Sequence, residues 1–402
     1  MNKRKVNKVI EQITKRKGDF FSEDIKANEA YLSEEIKGKK VMVIGGAGTI
    51  GSNFIKEVLN FHPKDLFVLD LNENGLAELV RDIRNSNYEH IPNIYTYAVN
   101  YSDPIFEKMY NNEGAFDIVA NFSAHKHVRS EKDMYAIEAM FKNNFINLHG
   151  FLKILSLAPP KHVFCVSTDK ATNPVNLMGA SKRLMEDVMF SFNDKLKISS
   201  ARFANVAFSN GSLLESYVNR YEKDQPLVCP SDISRYFVSP SESGSLCLAA
   251  CFLAKPGEVF VPKFNPKSHL IFFRKTLESF INVNSIEIQV VSSDEELLIE
   301  MENFKIGKTN KYPVMYLESD TSGEKEYEEF FTSEERVDST RFFALSVVQN
   351  DNQASYDIIA LLSDLEKAFE DGIDKSSLVS LLGKYLKNFN HLEKGKTLDQ
   401  KI

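Results

Sequence analysis

The stretch Val166-Ser167-Thr168-Asp169-Lys170 sets a hydroxyl, a carboxylic acid and an amine at three consecutive positions, Thr168, Asp169 and Lys170. An acid beside an amine is a pair able to take one proton and give another. Each residue alone has a plainer reading, Asp169 as a turn cap and Lys170 as a solvated cation. Together, at the end of an apolar strand, they read as a reactive turn. Four positions separate Met178 from Lys182, which puts both on one face of the helix that follows. A second constellation is Gly45-Gly46-Ala47-Gly48-Thr49-Ile50-Gly51. Glycines at 45, 48 and 51 allow a tight turn whose backbone N–H groups approach a pyrophosphate at a helix N-terminus, with Thr49 and Ile50 inside the same turn. Asp70, nineteen positions beyond Gly51, would accept hydrogen bonds from the adenosine ribose and repel a 2′-phosphate, so NAD is expected over NADP.

These groups need a scaffold that brings them to one edge. Lys40 to Ile44 is a short apolar run stopped by glycine, which predicts a buried strand. Strands are predicted over 65–71, 94–99, 116–122, 162–167 and 198–206, and helices over 73–84, 136–157 and 176–192. Regular alternation of this kind predicts an α/β fold with a Rossmann-type doubly wound parallel sheet, whose ligands bind at the carboxyl ends of the strands. After Val206 the prolines at 226, 230, 240, 256, 262 and 266 break the rhythm and predict a smaller lobe. The expected division is a helical N-terminal extension (1–38), an NAD-binding domain (39–206), an interleaved substrate-binding lobe (207–348) and a C-terminal helical extension (349–402).

The bulk composition is that of a globular chain of 402 residues with formal charge −7. That balance gives no global attraction to nucleic acid or anionic membrane. The first seventeen residues are the exception, with Lys3, Arg4, Lys5, Lys8, Lys15, Arg16 and Lys17 against Glu11 alone, and a solvated helix is expected there. Cys165, Cys229, Cys247 and Cys251 form no CxxC pair and no metal spacing, so no metal is expected. Cys247 and Cys251 fall on one buried helix face. No run reaches the roughly eighteen apolar residues of a membrane span. A soluble, cytoplasmic protein is expected, assembled as a homo-oligomer.

Six segments carry a resemblance: GKKVMVIGGAGTIGS (38–52), NFSAHKHV (121–128), STDKATNPVNLMGASKRLMED (167–187), ARFANVAFSNGSLL (201–214), SDISRYFVSPSES (231–243) and GEKEYEEF (323–330). In this order they resemble the CapD-like polysaccharide-biosynthesis dehydratases, a branch of the extended short-chain dehydrogenases. The chain departs from the family in its glycine turn, usually GAGGSIG, and at Asn100, where an acid is usual; Asp103 is kept. The resemblance implies 4,6-dehydration of a UDP-N-acetylhexosamine, UDP-N-acetylglucosamine foremost. The sugar is oxidised at C4, loses water across C5–C6, and regains the hydride at C6, giving a 4-keto-6-deoxy sugar for surface glycans.

Oxidation at C4 makes the C5 proton acidic, so a base must take it while an acid protonates the leaving C6 oxygen; Asp169 and Lys170 match that pair. Simple 4-epimerases carry small residues there. Relatives place a tyrosine base where this chain has Met178, so the resemblance implies a relay from Thr168 through water toward Lys182, and retention at C5. It also implies that Lys182 binds the nicotinamide ribose and that Asn100 and Ser123 line the cofactor. Lys126, His127, Asn205, Asn210, Ser212 and Arg235 fall at substrate positions, Arg235 suiting a diphosphate. Two rival readings are a UDP-N-acetylhexosamine 4-epimerase and a non-catalytic NAD-binding regulator or scaffold.

Overall fold

In the computed structural model, residues 3–126, 131–319, 325, 327–349 and 354–392 are described. Five strands alternate with helices from the first glycine turn onward: β1 (Lys40–Ile44), β2 (Asp65–Leu69), β3 (Asn93–Tyr97), β4 (Ile118–Asn121) and β5 (His162–Val166). The next are β6 (Ile198–Ala201), β7 (Asn205–Val206), β8 (Leu227–Pro230), β9 (Ser234–Val238) and β10 (Glu258–Pro262). The last are β11 (Leu270–Phe272), β12 (Glu287–Val291), β13 (Lys311–Leu317), β14 (Arg336–Asp338) and β15 (Leu345–Gln349). Nine of them form one sheet in the order β14-β15-β10-β6-β5-β4-β1-β2-β3. From β10 to β3 every pairing is parallel, and β15 and β14 close the other edge antiparallel. The fold is the expected α/β type, with strand order reversing between β1 and β4.

Burial explains the apolar runs. All five residues of β5 and all four of β4 are buried, as a strand covered by helices on both faces requires. The smaller sheets lie beyond: β11-β9-β7 and the parallel β12-β13-β8. They surround a second apolar cluster that includes Tyr217, Ile233, Leu277, Phe280 and Val314.

Three elements differ from the sequence reading. The predicted strand 198–206 breaks at Arg202, whose buried guanidinium needs partners found only where the chain leaves the sheet. It donates to Glu186 (2.8 and 2.6 Å) and Glu335 (2.9 and 2.7 Å), and β7 pairs with β9 instead. The predicted helix 136–157 holds a π turn at Lys142–Ile146 between the helices Met134–Phe141 and Asn147–Leu157. That wider turn aims Asn144 inward. Finally, the basic first helix, Lys3–Thr14, is not simply solvated. Val9, Ile10 and Ile13 are buried with Leu277, Phe280 and Ile281, because apolar residues at this spacing make a stripe on an otherwise charged helix. Arg16 beyond it pairs with the buried Glu242 at 2.7 Å. The helices Ile358–Glu370 and Lys375–Tyr385 pack Leu361, Leu365, Leu378 and Leu382 on the main core.

Candidate active site

Two adjoining cavities open where the strand order reverses, at the carboxyl ends of β1, β4 and β5, where such folds hold ligands. The first, about 450 Å³, is built on the glycine turn. Gly45 has φ +73°, and a Cβ there would lie 2.9 Å from both the Phe122 carbonyl carbon and the Ser123 nitrogen. A Cβ on Gly51 would fall on the Gly45 carbonyl oxygen. The backbone therefore comes closer to β4 and to its own helix than any side chain permits. Gly48 occupies the N-cap of the helix Thr49–Leu59 and gives its first N–H groups no side-chain acceptor. Those donors suit an anion.

Asp70, at the exit of β2, accepts from the Ala47 N–H at 3.0 Å and the Asn72 N–H at 2.9 Å. Two carboxylate oxygens offer about four acceptor positions, so capacity remains for ribose hydroxyls. Thr49, Ile50, Asn100, Ser123 and Asn210 line the same cavity. The Asn100 carboxamide oxygen is already bonded to the Ser102 N–H at 3.1 Å, and Asn210 donates its backbone N–H to Thr49 Oγ1 at 3.1 Å. The donors and the glycine cradle fit a dinucleotide.

The second cavity, about 340 Å³, brings Thr168, Lys170, Met178 and Lys182 to one wall. Lys126, Asn205, Ser212 and Arg235 line it from other elements. Ile50, Phe122, Ala124 and Lys126 border both cavities, which makes them continuous. Ser212 also caps the helix Leu213–Glu222, accepting from the Glu215 N–H at 3.2 Å. Arg235 is buried, donates to the carbonyls of Ser234 (2.8 Å) and Lys325 (2.9 Å), and lies over the Phe273 ring.

The turn after β5 is a 3-10 turn, Asp169–Ala171. Asp169 is buried beneath it, and one of its oxygens accepts from Thr168 Oγ1 at 2.8 Å and Lys170 Nζ at 2.9 Å. Lys170 is the member of the pair that faces the cavity. Burial pulls its pKa down, but the carboxylates of Asp169 and Glu328 outweigh that and hold it above the ordinary lysine value. Lys170 therefore carries its proton at neutral pH. Lys182 is the opposite case. Burial lowers it to about 8, against a smaller opposing pull from Glu186. Among the described residues its amine reaches the Val166 carbonyl at 3.3 Å and the Met185 sulfur at 3.2 Å.

Met178 and Lys182 are positioned by the helix Leu177–Phe190. Asn176 caps it through the Gly179 N–H at 2.7 Å, and Glu131 accepts the Met178 N–H at 3.0 Å. Asn144, on the π turn, bonds the N–H (2.8 Å) and carbonyl (2.9 Å) of His125 and donates to Ser181 at 3.1 Å. The exit of β4 and the helix bearing Lys182 are thus tied through one side chain.

A family described as polysaccharide biosynthesis protein matches residues 41–350. The chain belongs to this family. Among its relatives, an uncharacterized membrane protein of Methanocaldococcus jannaschii is 30% identical over 302 residues, 71% of this chain and 88% of that one. The capsular polysaccharide biosynthesis protein CapD of Staphylococcus aureus is 30% identical over 64% of this chain, which spans only 44% of CapD. A Campylobacter jejuni protein named UDP-N-acetylglucosamine 4,6-dehydratase (inverting) is 26% identical over 66% of this chain and 82% of its own length. Among solved structures, Pen from Bacillus thuringiensis shares the fold, with a TM-score of 0.63 and 22% identity over 83% of this chain and 98% of Pen. No helix among the described residues is long and apolar enough to cross a membrane, and none of their His, Cys, Asp and Glu side chains cluster as a metal site.

Of the residues singled out in this polysaccharide-biosynthesis chain, His127 lies outside the described residues. Asp169 does not reach a cavity wall. The residue that the sequence reading missed is Glu328, which is buried and lines the second cavity from the segment between β13 and β14. It stands within the GEKEYEEF segment, but its neighbour Lys170 is far away in sequence, so local spacing gave no cue.

Proposed function

We propose that this chain is an NAD-dependent nucleotide-sugar dehydratase that removes water across C5–C6 of a UDP-N-acetylhexosamine, UDP-N-acetylglucosamine foremost, with retention at C5. The observation that carries the reading is Lys170, paired with the buried Asp169, on the wall of the cavity that adjoins the glycine-turn cavity. The glycine turn and Asp70 hold NAD, which supplies reversible hydride transfer to and from the sugar.

The chain's own groups do the proton work. Thr168 and Lys182 receive the proton released from the C4 hydroxyl; an amine with a pKa of about 8 exchanges protons readily near neutral pH. Lys170, held as an ammonium, donates to the departing C6 oxygen, and the C5 proton released in the same elimination returns to the Asp169–Lys170 pair, which ends with the charges it began with. Met178, buried and without an ionisable group, walls the sugar face where it can neither add nor remove a proton. Arg235, whose planar fork suits phosphate oxygens, is assigned to the diphosphate, with Asn205, Asn210 and Ser212 around the nucleotide. A 4-epimerase has no use for an acid at C6, which is why Lys170 favours dehydration.

The decisive experiment is incubation of the purified protein with UDP-N-acetylglucosamine in deuterated water, read by NMR. A 4-keto-6-deoxy product carrying deuterium at C5 in the starting configuration is expected. Recovery of only the 4-epimer, or of unchanged sugar, overturns the reading.

A further inference from the structure

The cavity wall facing the catalytic turn carries a carboxylate that the reaction as outlined leaves without a task. Glu328 arrives from the segment after β13, and its Oε1 lies 3.9 Å from Lys170 Nζ. Its Oε2 has no hydrogen-bond partner among the described residues and stands 3.6 Å from Lys325 Nζ, an amine that is likewise without one. The side chain is only 5% exposed. A buried carboxylate oxygen left unbonded is disfavoured by its desolvation, so its presence in a cavity wall points to a duty toward its neighbours or a ligand.

The surrounding charges define that duty. Lys170 meets Asp169 from its own turn, Glu328 from the segment between β13 and β14, and Arg235 from β9, while Lys325 stands against Glu328. Asp169 is fixed by Thr168 and belongs to the same turn as Lys170, so its pull on the ammonium does not depend on the second lobe. Glu328 does not share that turn. It is the one acid of this set supplied from another part of the chain, and its carboxylate faces two amines, Lys170 and Lys325.

We infer that Glu328 is a positioning residue for Lys170: its carboxylate reaches across the cavity to keep the Lys170 ammonium charged and aimed, and its free oxygen accepts a hydrogen bond from a hydroxyl or amide N–H of the bound sugar. The inference rests on the dehydratase reading for its catalytic consequence, although the electrostatic half stands without it. Lys325, 3.6 Å from that oxygen and not hydrogen-bonded to it, offsets part of the carboxylate's charge. The two lobes must therefore be correctly seated before the acid is fully charged, which links substrate capture to proton donation.

Two variants move the system in opposite directions. Glu328→Gln removes the negative charge and leaves the shape, so the alkaline limb of the kcat/KM–pH profile is expected to fall by about one pH unit or more, with a raised KM. Lys325→Met removes the competing cation and is expected to shift that limb upward. Glu328→Asp, which keeps the charge, is expected to restore part of the wild-type profile. An unmoved alkaline limb in both Glu328→Gln and Lys325→Met overturns the inference. A second readout needs no turnover: ¹³C-methylated Lys170, assigned by loss of its NMR signal in Lys170→Arg, is titrated in wild type and in both variants. A signal that titrates at the same pH in all three refutes the inference even if no UDP-hexosamine is consumed, whereas inactivity of the wild type with a normal Lys170 titration pattern refutes only the dehydratase reading.

Discussion

Replacing Lys182 with methionine should stabilise the protein while destroying its activity. The amine is 2% exposed, and burial lowers its pKa to about 8 from the ordinary 10.5. Between those values the unfolded chain binds more protons than the folded one, so stability rises as pH climbs from about 8 to about 10.5. Below pH 8 the full penalty applies, a gap of roughly 2.5 pH units or about 3 kcal/mol. Methionine has a similar reach and no charge, but it gives up the bond to the Val166 carbonyl, worth about 1 kcal/mol. The net expectation is a gain of about 2 kcal/mol at pH 7 that shrinks to nearly nothing by pH 10. Urea unfolding of the NAD-free protein at the two pH values measures this, and turnover measured alongside should fall by at least about 100-fold. A Lys182→Met protein no more stable than wild type at pH 7, or an advantage that persists at pH 10, refutes the reasoning.

Three other expectations follow from the same geometry. Burial, reinforced by Asp19 and opposed by a hydrogen bond to Asn60, pushes the Glu57 carboxyl up to about 7. The folded chain holds that proton more tightly, so its stabilising effect is lost as pH rises from about 4.5 to about 7. Glu57→Gln should accordingly be more stable than wild type by about 2 kcal/mol at pH 8 and equal at pH 4.5, read from thermal midpoints. Gly51→Ala should weaken NAD binding at least about tenfold and destabilise the fold by about 1–3 kcal/mol, because the new methyl group meets the Gly45 carbonyl; calorimetric titration with NAD tests it. Lys170→Ala should abolish dehydration with NAD still bound, whereas Met178→Ala should keep measurable turnover. The reverse pattern in a sugar-NMR assay would overturn the assigned roles.

What the sequence disclosed was what lies close together along the chain. Strand β1 ends where Gly45 begins, and the helix Glu73–Arg84 matches its amphipathic run at both ends. The catalytic turn and Lys182 are separated by one helical turn and a loop, so their joint position follows from a single strand–turn–helix unit. The misread elements share a different cause. A π turn leaves the apolar pattern of residues 134–157 continuous, so periodicity cannot reveal it. Arg202 looks like part of a strand until Glu335, distant in sequence, is known to meet it. The first helix looks solvated because four cations dominate its composition, yet three apolar residues decide where it docks. Glu328 escaped notice for the same reason as Arg202: its meaning depends on a partner in another lobe.

The buried charges behind the turn tie the helix Leu177–Phe190 to the segment between β13 and β14. Ser167, one residue before Thr168, donates to Glu186 at 2.5 Å, and Glu186 is clamped by Arg202. Arg202 also donates to the Phe330 carbonyl at 3.1 Å and to Glu335, and thereby grips the segment that carries Glu328. An ion cluster of this burial is a poor source of stability, since desolvation offsets most of its attraction and an apolar cluster of equal volume would serve folding as well. Its geometry, however, is directional in a way that apolar packing is not. The same guanidinium fixes the strand end bearing the Asp169–Lys170 turn, the helix bearing Lys182, and the loop bearing Glu328. The proposed reaction draws an ammonium, a poised amine and an opposing carboxylate from three separate elements, and Arg202, directly or through Glu186, is bonded to all three of them.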